Sequence, residues 1–135
     1  MREMITRTDG GLRVDSTDGT VTTVMDEPVS VGGEGAGPTP VQMLLAALGG
    51  CTAITLKMYS KRKSWPLEDV EVRVTLEDGA KGEPNRWVQH VTLKGDLDSE
   101  QRERLMQIAG RCPVHRILEG DNVFEELPAE AAGAE

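Results

Sequence analysis

The part of this chain that most restricts its fold begins at Thr39. The Thr39 hydroxyl can cap a helix, Pro40 suits the first helical position, where no N–H is needed, and Gln42 can complete a reciprocal capping box. The pattern predicts a helix over about residues 40–62. Leu44, Ala47, Leu48, Cys51, Thr55 and Met58 recur at three- and four-residue steps and share one stripe, while Leu45, Ile54 and Leu56 widen the apolar surface beyond one face. A helix apolar on several sides needs cover on several sides, so this one is expected to be central and buried. Gly49 and Gly50 sit in its middle, each costing about 1 kcal/mol relative to alanine unless close packing compensates. They admit two readings: a strand or helix approaches closely and Cys51 is an inert core residue, or the backbone beside that sulfur has to be reached.

The flanking sequence supplies strands. Residues 3–8, 11–16 and 20–26 are short segments divided by Asp9-Gly10-Gly11 and Asp18-Gly19, strong turn signals, and read as a three-stranded antiparallel meander. Its apolar residues (Met4, Ile5, Leu12, Val14, Val21, Val24) are few, so the sheet needs a partner surface. Residues 27–38, with Gly32, Gly33, Gly35 and Gly37, lack the ending of a phosphate-binding loop and read as a flexible connection. After Pro66 the period changes to two: Val70, Val72, Val74 and Leu76, then Trp87, Gln89, Val91 and Leu93 against the opposite set Val88, His90 and Thr92. A Gly82 to Asn85 turn makes these a long hairpin. Asp98 or Ser99 caps a helix ending at Gly110, Pro113 opens a shorter one through Val114, Ile117 and Leu118, and Asn122 to Leu127 reads as a last short strand. These elements place a single α+β domain at residues 1–127, with 128–135 a disordered tail.

Composition narrows the function. Trp65, Trp87, Tyr59 and Phe124 are the only aromatics, leaving a thin core for a lone monomer. The net charge is -8, from 23 acidic against 15 basic residues, and no Lys/Arg run follows a phosphate backbone, so no nucleic acid is expected as partner. Lys61, Arg62 and Lys63 fall where the central helix ends and complement its dipole. The reading includes no membrane: no apolar stretch approaches the ~20 residues of a span, the N-terminus has no leader pattern, and a cytoplasmic location is expected.

Two cysteines are too few for a secreted disulfide framework, which leaves structural, metal-binding or reactive roles. Cys112 lies at a helix start, where unpaired N–H groups favour a thiolate, with His115 and Arg116 one turn on. Cys112 and His115 also form half of a zinc site, for which only Cys51 and His90 remain as further soft ligands. His90, on a strand without a carboxylate motif beside it, reads as a sheet residue. A Cys-His hydrolase at Cys51 would need an imidazole and an oxyanion hole that nothing nearby announces.

Taken together, Gly37-Pro38-Thr39-Pro40 leading into Leu44-Leu45-Ala46-Ala47-Leu48-Gly49-Gly50-Cys51, and Cys112-Pro113-Val114-His115-Arg116 far downstream, closely resemble the OsmC/Ohr family, and its broad OsmC-like subgroup more than typical Ohr enzymes. The resemblance runs from about the first strand to the last. It implies an OsmC-like fold, intertwined as a homodimer with active sites at the interface. It further implies that Cys51 attacks an organic hydroperoxide and becomes a sulfenic acid, that Cys112 resolves it as a Cys51–Cys112 disulfide, and that a dithiol reductant such as a dihydrolipoyl group reopens the bond. No metal, flavin or haem cofactor is implied. Cys51 lies too far into its helix for the dipole to hold a thiolate. Family members bring an arginine from the N-terminal strands; Arg7 is the better match and Arg13 the reserve. Ohr-type enzymes pair that arginine with a glutamate after the helix-opening proline, where this chain reads Pro40-Val41-Gln42; Glu34 or Glu27 would have to substitute. The alternative class is a non-catalytic small-molecule binding or redox-sensing protein with a pocket at the interface.

Overall fold

Each N-terminal turn signal ends a strand. In the computed structural model, which describes residues 1–129, β1 (Ile5–Thr8), β2 (Val14–Thr17) and β3 (Thr22–Met25) form an antiparallel meander in that order, with Arg7 opposite Asp15 and Ser16 opposite Thr23. A loop leads to α1 (Pro40–Lys63), followed by the hairpin of β4 (Leu67–Glu77) and β5 (Arg86–Gly95), then α2 (Ser99–Ala109) and α3 (Pro113–Glu119). The architecture is therefore α+β, as expected. Residues 121–129 hold no regular structure, so the last strand expected at Asn122 to Leu127 is not formed. β1, β3, β4 and β5 each leave one edge open, and this segment pairs with none of them in the described chain. Residues 130–135 of the expected tail lie outside the described residues.

Both long helices start as their sequences require. Thr39 Oγ1 accepts from Gln42 N–H while Gln42 Oε1 accepts from Thr39 N–H, and Asp98 and Gln101 repeat this box on α2. Asp98, not Ser99, is the cap. At its other end α1 carries Lys61, Arg62 and Lys63 in the last turn and stops at Ser64 in the left-handed region (φ 57°).

The core lies between the C-terminal half of α1, the base of the hairpin and α2. Leu56, Leu67, Leu97, Leu105, Ile108 and Ala109 are buried together, with Tyr59, Trp65, Val70, Val91 and Leu93 packed around them. The Arg102 guanidinium staples the β5–α2 turn by donating to the carbonyls of Leu93 (2.9 Å), Gly95 (3.0 Å) and Leu97 (3.3 Å). The inward stripe of α1 is Leu48, Thr52, Leu56 and Ser60, whereas Leu44, Ile54 and Met58 are exposed. The expected stripe is thus rotated, because a helix apolar nearly all round gives periodicity little to choose between. α1 is also long and apolar enough to pass for a membrane span, with a mean hydropathy of 1.4 over its best window, which corrects the expectation that no stretch approaches one. It packs against β4, α2 and α3 along one side, where Leu48, Gly49, Thr52, Leu56 and Ser60 are buried, so the expected cover on several sides is not found within the described chain.

The glycine-rich loop is ordered, against the expectation of a flexible connection. Asp26 folds it: Oδ1 accepts from Glu27 N–H (2.8 Å) and Oδ2 from Glu34 and Ala36 N–H (both 3.1 Å). A Cβ on Gly33 would fall 1.9 Å from the Glu27 carbonyl oxygen, so only glycine lets the loop wrap this carboxylate. The cover on Asp26, which is 2% exposed, is the loop's own backbone, with little of the rest of the molecule around it. Its pKa is lowered, first by the Ala36 N–H and then by those of Glu27 and Glu34, with burial working the other way.

Candidate active site

Cys51 and Cys112, far apart in the chain, meet where α1 faces the start of α3. The place of Cys112 follows from local rules: α2 ends at Gly110, Pro113 opens α3, and the residue between α3 and the preceding turn becomes the cap. A thiol therefore stands where Ser, Thr, Asp or Asn is usual. Its sulfur accepts from His115 N–H at 3.3 Å. Cys51 is brought to the same spot by helical spacing, one turn beyond buried Leu48 and adjacent to buried Thr52. Gly49 instead faces the hairpin, where its missing Cβ would lie 3.2 Å from Val74 Cγ2 on β4; Gly50 meets nothing within 4 Å among the described residues. The close-packing reading thus explains Gly49 and leaves Gly50 free.

Both sulfurs are free thiols, Cys112 buried and Cys51 half-buried. Burial pushes the Cys51 thiol up from its ordinary value, and the adjoining Cys112 thiol adds to the rise by hydrogen bond and by charge. The nearby Val114 N–H, at the start of α3, and the Thr55 hydroxyl work the other way. No positive side chain is among these groups. The start of α3 thus gives the Cys112 sulfur the His115 N–H and sets the Val114 N–H near Cys51, without supplying a full cation to either.

The arginines lie elsewhere in the chain. Arg7 is exposed on β1 and makes no ion pair among the described residues, while Arg13 pairs with Asp15 at 3.4 Å. Neither Glu27 nor Glu34 forms an ion pair there either; their N–H groups serve Asp26. His90 is exposed on β5, away from the thiols, and no group of three or more His, Cys, Asp or Glu among the described residues could hold a metal ion. His115 turns Nδ1 towards Glu119 Oε2 at 3.4 Å, close enough for attraction but without hydrogen-bond geometry.

Two further residues complete the site, and sequence reading assigned neither a role. The Thr52 hydroxyl, fully buried, donates to Gln89 Oε1 at 2.8 Å and lies 3.6 Å from Cys112 Sγ. Gln89 belongs to the inward-facing set of β5, and a polar residue in that set was the one available signal. An apolar cavity of about 180 Å³ lies between Leu48 of α1 and His115 of α3, lined by them with Trp87, Leu118 and Glu119 and by neither cysteine. A larger cleft of about 510 Å³ beside Tyr59, Lys63, Trp65 and Arg104 lies at the far end of α1 and contains neither cysteine.

A sequence model described as OsmC-like protein matches residues 33–126, more than half of the chain, and the chain belongs to that family. Solved structures of the same fold include an OsmC-like protein from Mycoplasma pneumoniae (17% identity, 87% of this chain and 86% of that one covered, TM-score 0.74). Others are the organic hydroperoxide resistance protein OsmC of Legionella pneumophila (24%, 89% and 91%, 0.62) and OhrB of Bacillus subtilis, also an organic hydroperoxide resistance protein (19%, 88% and 90%, 0.60). No curated protein matches the sequence significantly.

Proposed function

We propose that this chain is a thiol-dependent peroxidase that reduces organic hydroperoxides to alcohols in defence against oxidative stress. The observation that carries the reading is the meeting of two free thiols where α1 faces the start of α3, Cys112 being capped by the His115 N–H. The Cys51 thiolate attacks the terminal peroxide oxygen; an S–O bond forms, the O–O bond breaks, and the alkoxide leaves as alcohol after taking a proton. Cys51 is then a sulfenic acid. The Cys112 sulfur attacks it, an S–S bond forms and water departs. A dithiol reductant, such as a dihydrolipoyl group, reduces the disulfide and is itself oxidised. The apolar lining of the cavity between α1 and α3 suits the organic part of the substrate.

Because burial and the adjoining Cys112 hold Cys51 towards its neutral form, this chemistry needs a cation, and Arg7 is the proposed source, with Arg13 in reserve. The meander that carries Arg7 makes no substantial contact with α1. We assign the approach to a homodimer, in which the meander of one copy lies over the other. The uncovered side of α1 supports this: Ile54 is 62% exposed and Phe124, in the unpaired C-terminal segment, 82%. A cytoplasmic location suits chemistry that relies on reduced thiols.

Purified protein supplied with cumene hydroperoxide and dihydrolipoamide should consume peroxide, and Cys51→Ser should reduce turnover by at least a thousandfold. Equal turnover in the variant would reject Cys51 as nucleophile. The second reading, a non-catalytic binding or redox-sensing protein, draws on the raised Cys51 pKa and the apolar cavity; it predicts ligand protection against unfolding without peroxide turnover.

A further inference from the structure

The Thr52 hydroxyl carries one proton and stands between two partners. It is 2.8 Å from Gln89 Oε1 and 3.6 Å from Cys112 Sγ, and both Thr52 and Cys112 are 0% exposed, so no water replaces either contact. With its proton given to Gln89, the hydroxyl oxygen can only accept from the sulfur, and Cys112 is then an S–H donor. An amide presents an acceptor and a donor of similar size at one place. If the Gln89 amide turns over, its N–H donates to Thr52, whose proton is freed to point at the sulfur, and a thiolate is then the favoured partner.

We propose that Thr52 and Gln89 are positioning residues that hold Cys112 in either protonation state by reversing the direction of one hydrogen-bond chain. The inference deepens the peroxidase reading and rests on it for its purpose. As resolving residue, Cys112 must stay a thiol while Cys51 meets peroxide, then attack the sulfenic acid as a thiolate. Its proton leaves with the departing Cys51 oxygen as water, so the amide turns without carrying charge. The titratable groups facing this sulfur are Cys51 on α1 and His115 on its own helix, the latter turned towards Glu119; β5 contributes the neutral Gln89. The chain neighbours Arg111 and Arg116 are exposed.

The test needs no peroxide, which keeps its failure distinct from failure of the peroxidase reading. In full-length Cys51→Ser protein Cys112 is the sole cysteine, and the shift of a 13C label at its Cβ reports thiol against thiolate as pH is raised. Adding Thr52→Val should move the midpoint up by about one unit, because a thiolate loses more than a thiol when this hydrogen bond goes. Adding Gln89→Glu should move it further, since a carboxylate only accepts and brings negative charge, whereas Thr52→Ser should leave it in place. Coincident midpoints in the Cys51→Ser protein and in its Thr52→Val and Gln89→Glu forms would overturn the assignment. If Thr52→Val fails to fold, the neutral Gln89→Met decides alone: it takes the acceptor from Thr52 and frees the hydroxyl proton for the sulfur, so a lowered midpoint supports the inference and an unchanged or raised one ends it.

Discussion

The two sheets of this protein meet the same need for cover in different ways. The β4–β5 hairpin lays Val70, Val91 and Leu93 against Leu56 of α1 and Leu105 of α2, so its apolar face is closed within one chain. On the β1–β3 meander Met4, Ile5, Leu12 and Val21 are exposed, and Ser16 is the only residue of its strands that is buried. Strands of four residues cannot bury enough to stand alone. What holds the meander to the rest of the chain is the hydrogen bonding of Asp26 and the loop behind it, including Asp26 N–H to the Pro38 carbonyl at 3.0 Å. One region is thus stabilised by burial and the other by polar contacts and, on our reading, by a second copy. The first needs no partner to exist; the second carries Arg7, the cation we propose for Cys51.

The largest expected effect tests the self-sufficient half. Leu56→Ala empties a fully buried position and should lower the unfolding free energy by about 3 kcal/mol in urea titration. A loss near zero would mean that this core does not hold the hairpin. Next comes the uncovered side of α1. Ile54→Glu should weaken self-association at least tenfold, ~1.4 kcal/mol, in sedimentation; a surface facing only water would tolerate it within about 0.5 kcal/mol, and an unchanged dimer would remove the proposed partner from that face. The smallest effect concerns the loop. Because hydrogen bonds lower the folded-state pKa of Asp26, its contribution to stability is complete above the ordinary aspartate value of 3.8 and fades as pH falls through the lower folded value. An NMR titration should find Asp26 titrating below 3.8, and Asp26→Asn should flatten the acid dependence of meander opening while barely altering the hairpin. An Asp26 that titrates at 3.8 would show that the loop is not held by this carboxylate.

Legibility in the sequence followed the range of the interactions. The caps at Thr39 and Asp98, the stop at Gly110 and the start at Pro113 are decided within four residues, and all are found in the structure. The alternation of Trp87, Gln89, Val91 and Leu93 showed which side of β5 turns inward. The α1 stripe was harder, since Leu44 and Met58 are as apolar as Leu48 and Leu56 and only the arriving strand chose between them. The loop at 27–38 looked flexible because its organising group, Asp26, lies just before it and binds N–H groups up to ten residues away.

Local chemistry alone was enough for the helix bearing Cys51, the cap position of Cys112, the hairpin and the turns of the meander, since backbone hydrogen bonds and side-chain periodicity act over a few neighbouring residues. Folding in three dimensions decided the rest: that the sulfurs meet, that Thr52 and Gln89 stand behind one of them, that Cys51 is pushed towards its neutral form, and that Asn122 to Leu127 pairs with no strand. Those outcomes depend on distances between residues remote in the chain and on how much water their packing excludes, quantities that no window of sequence contains.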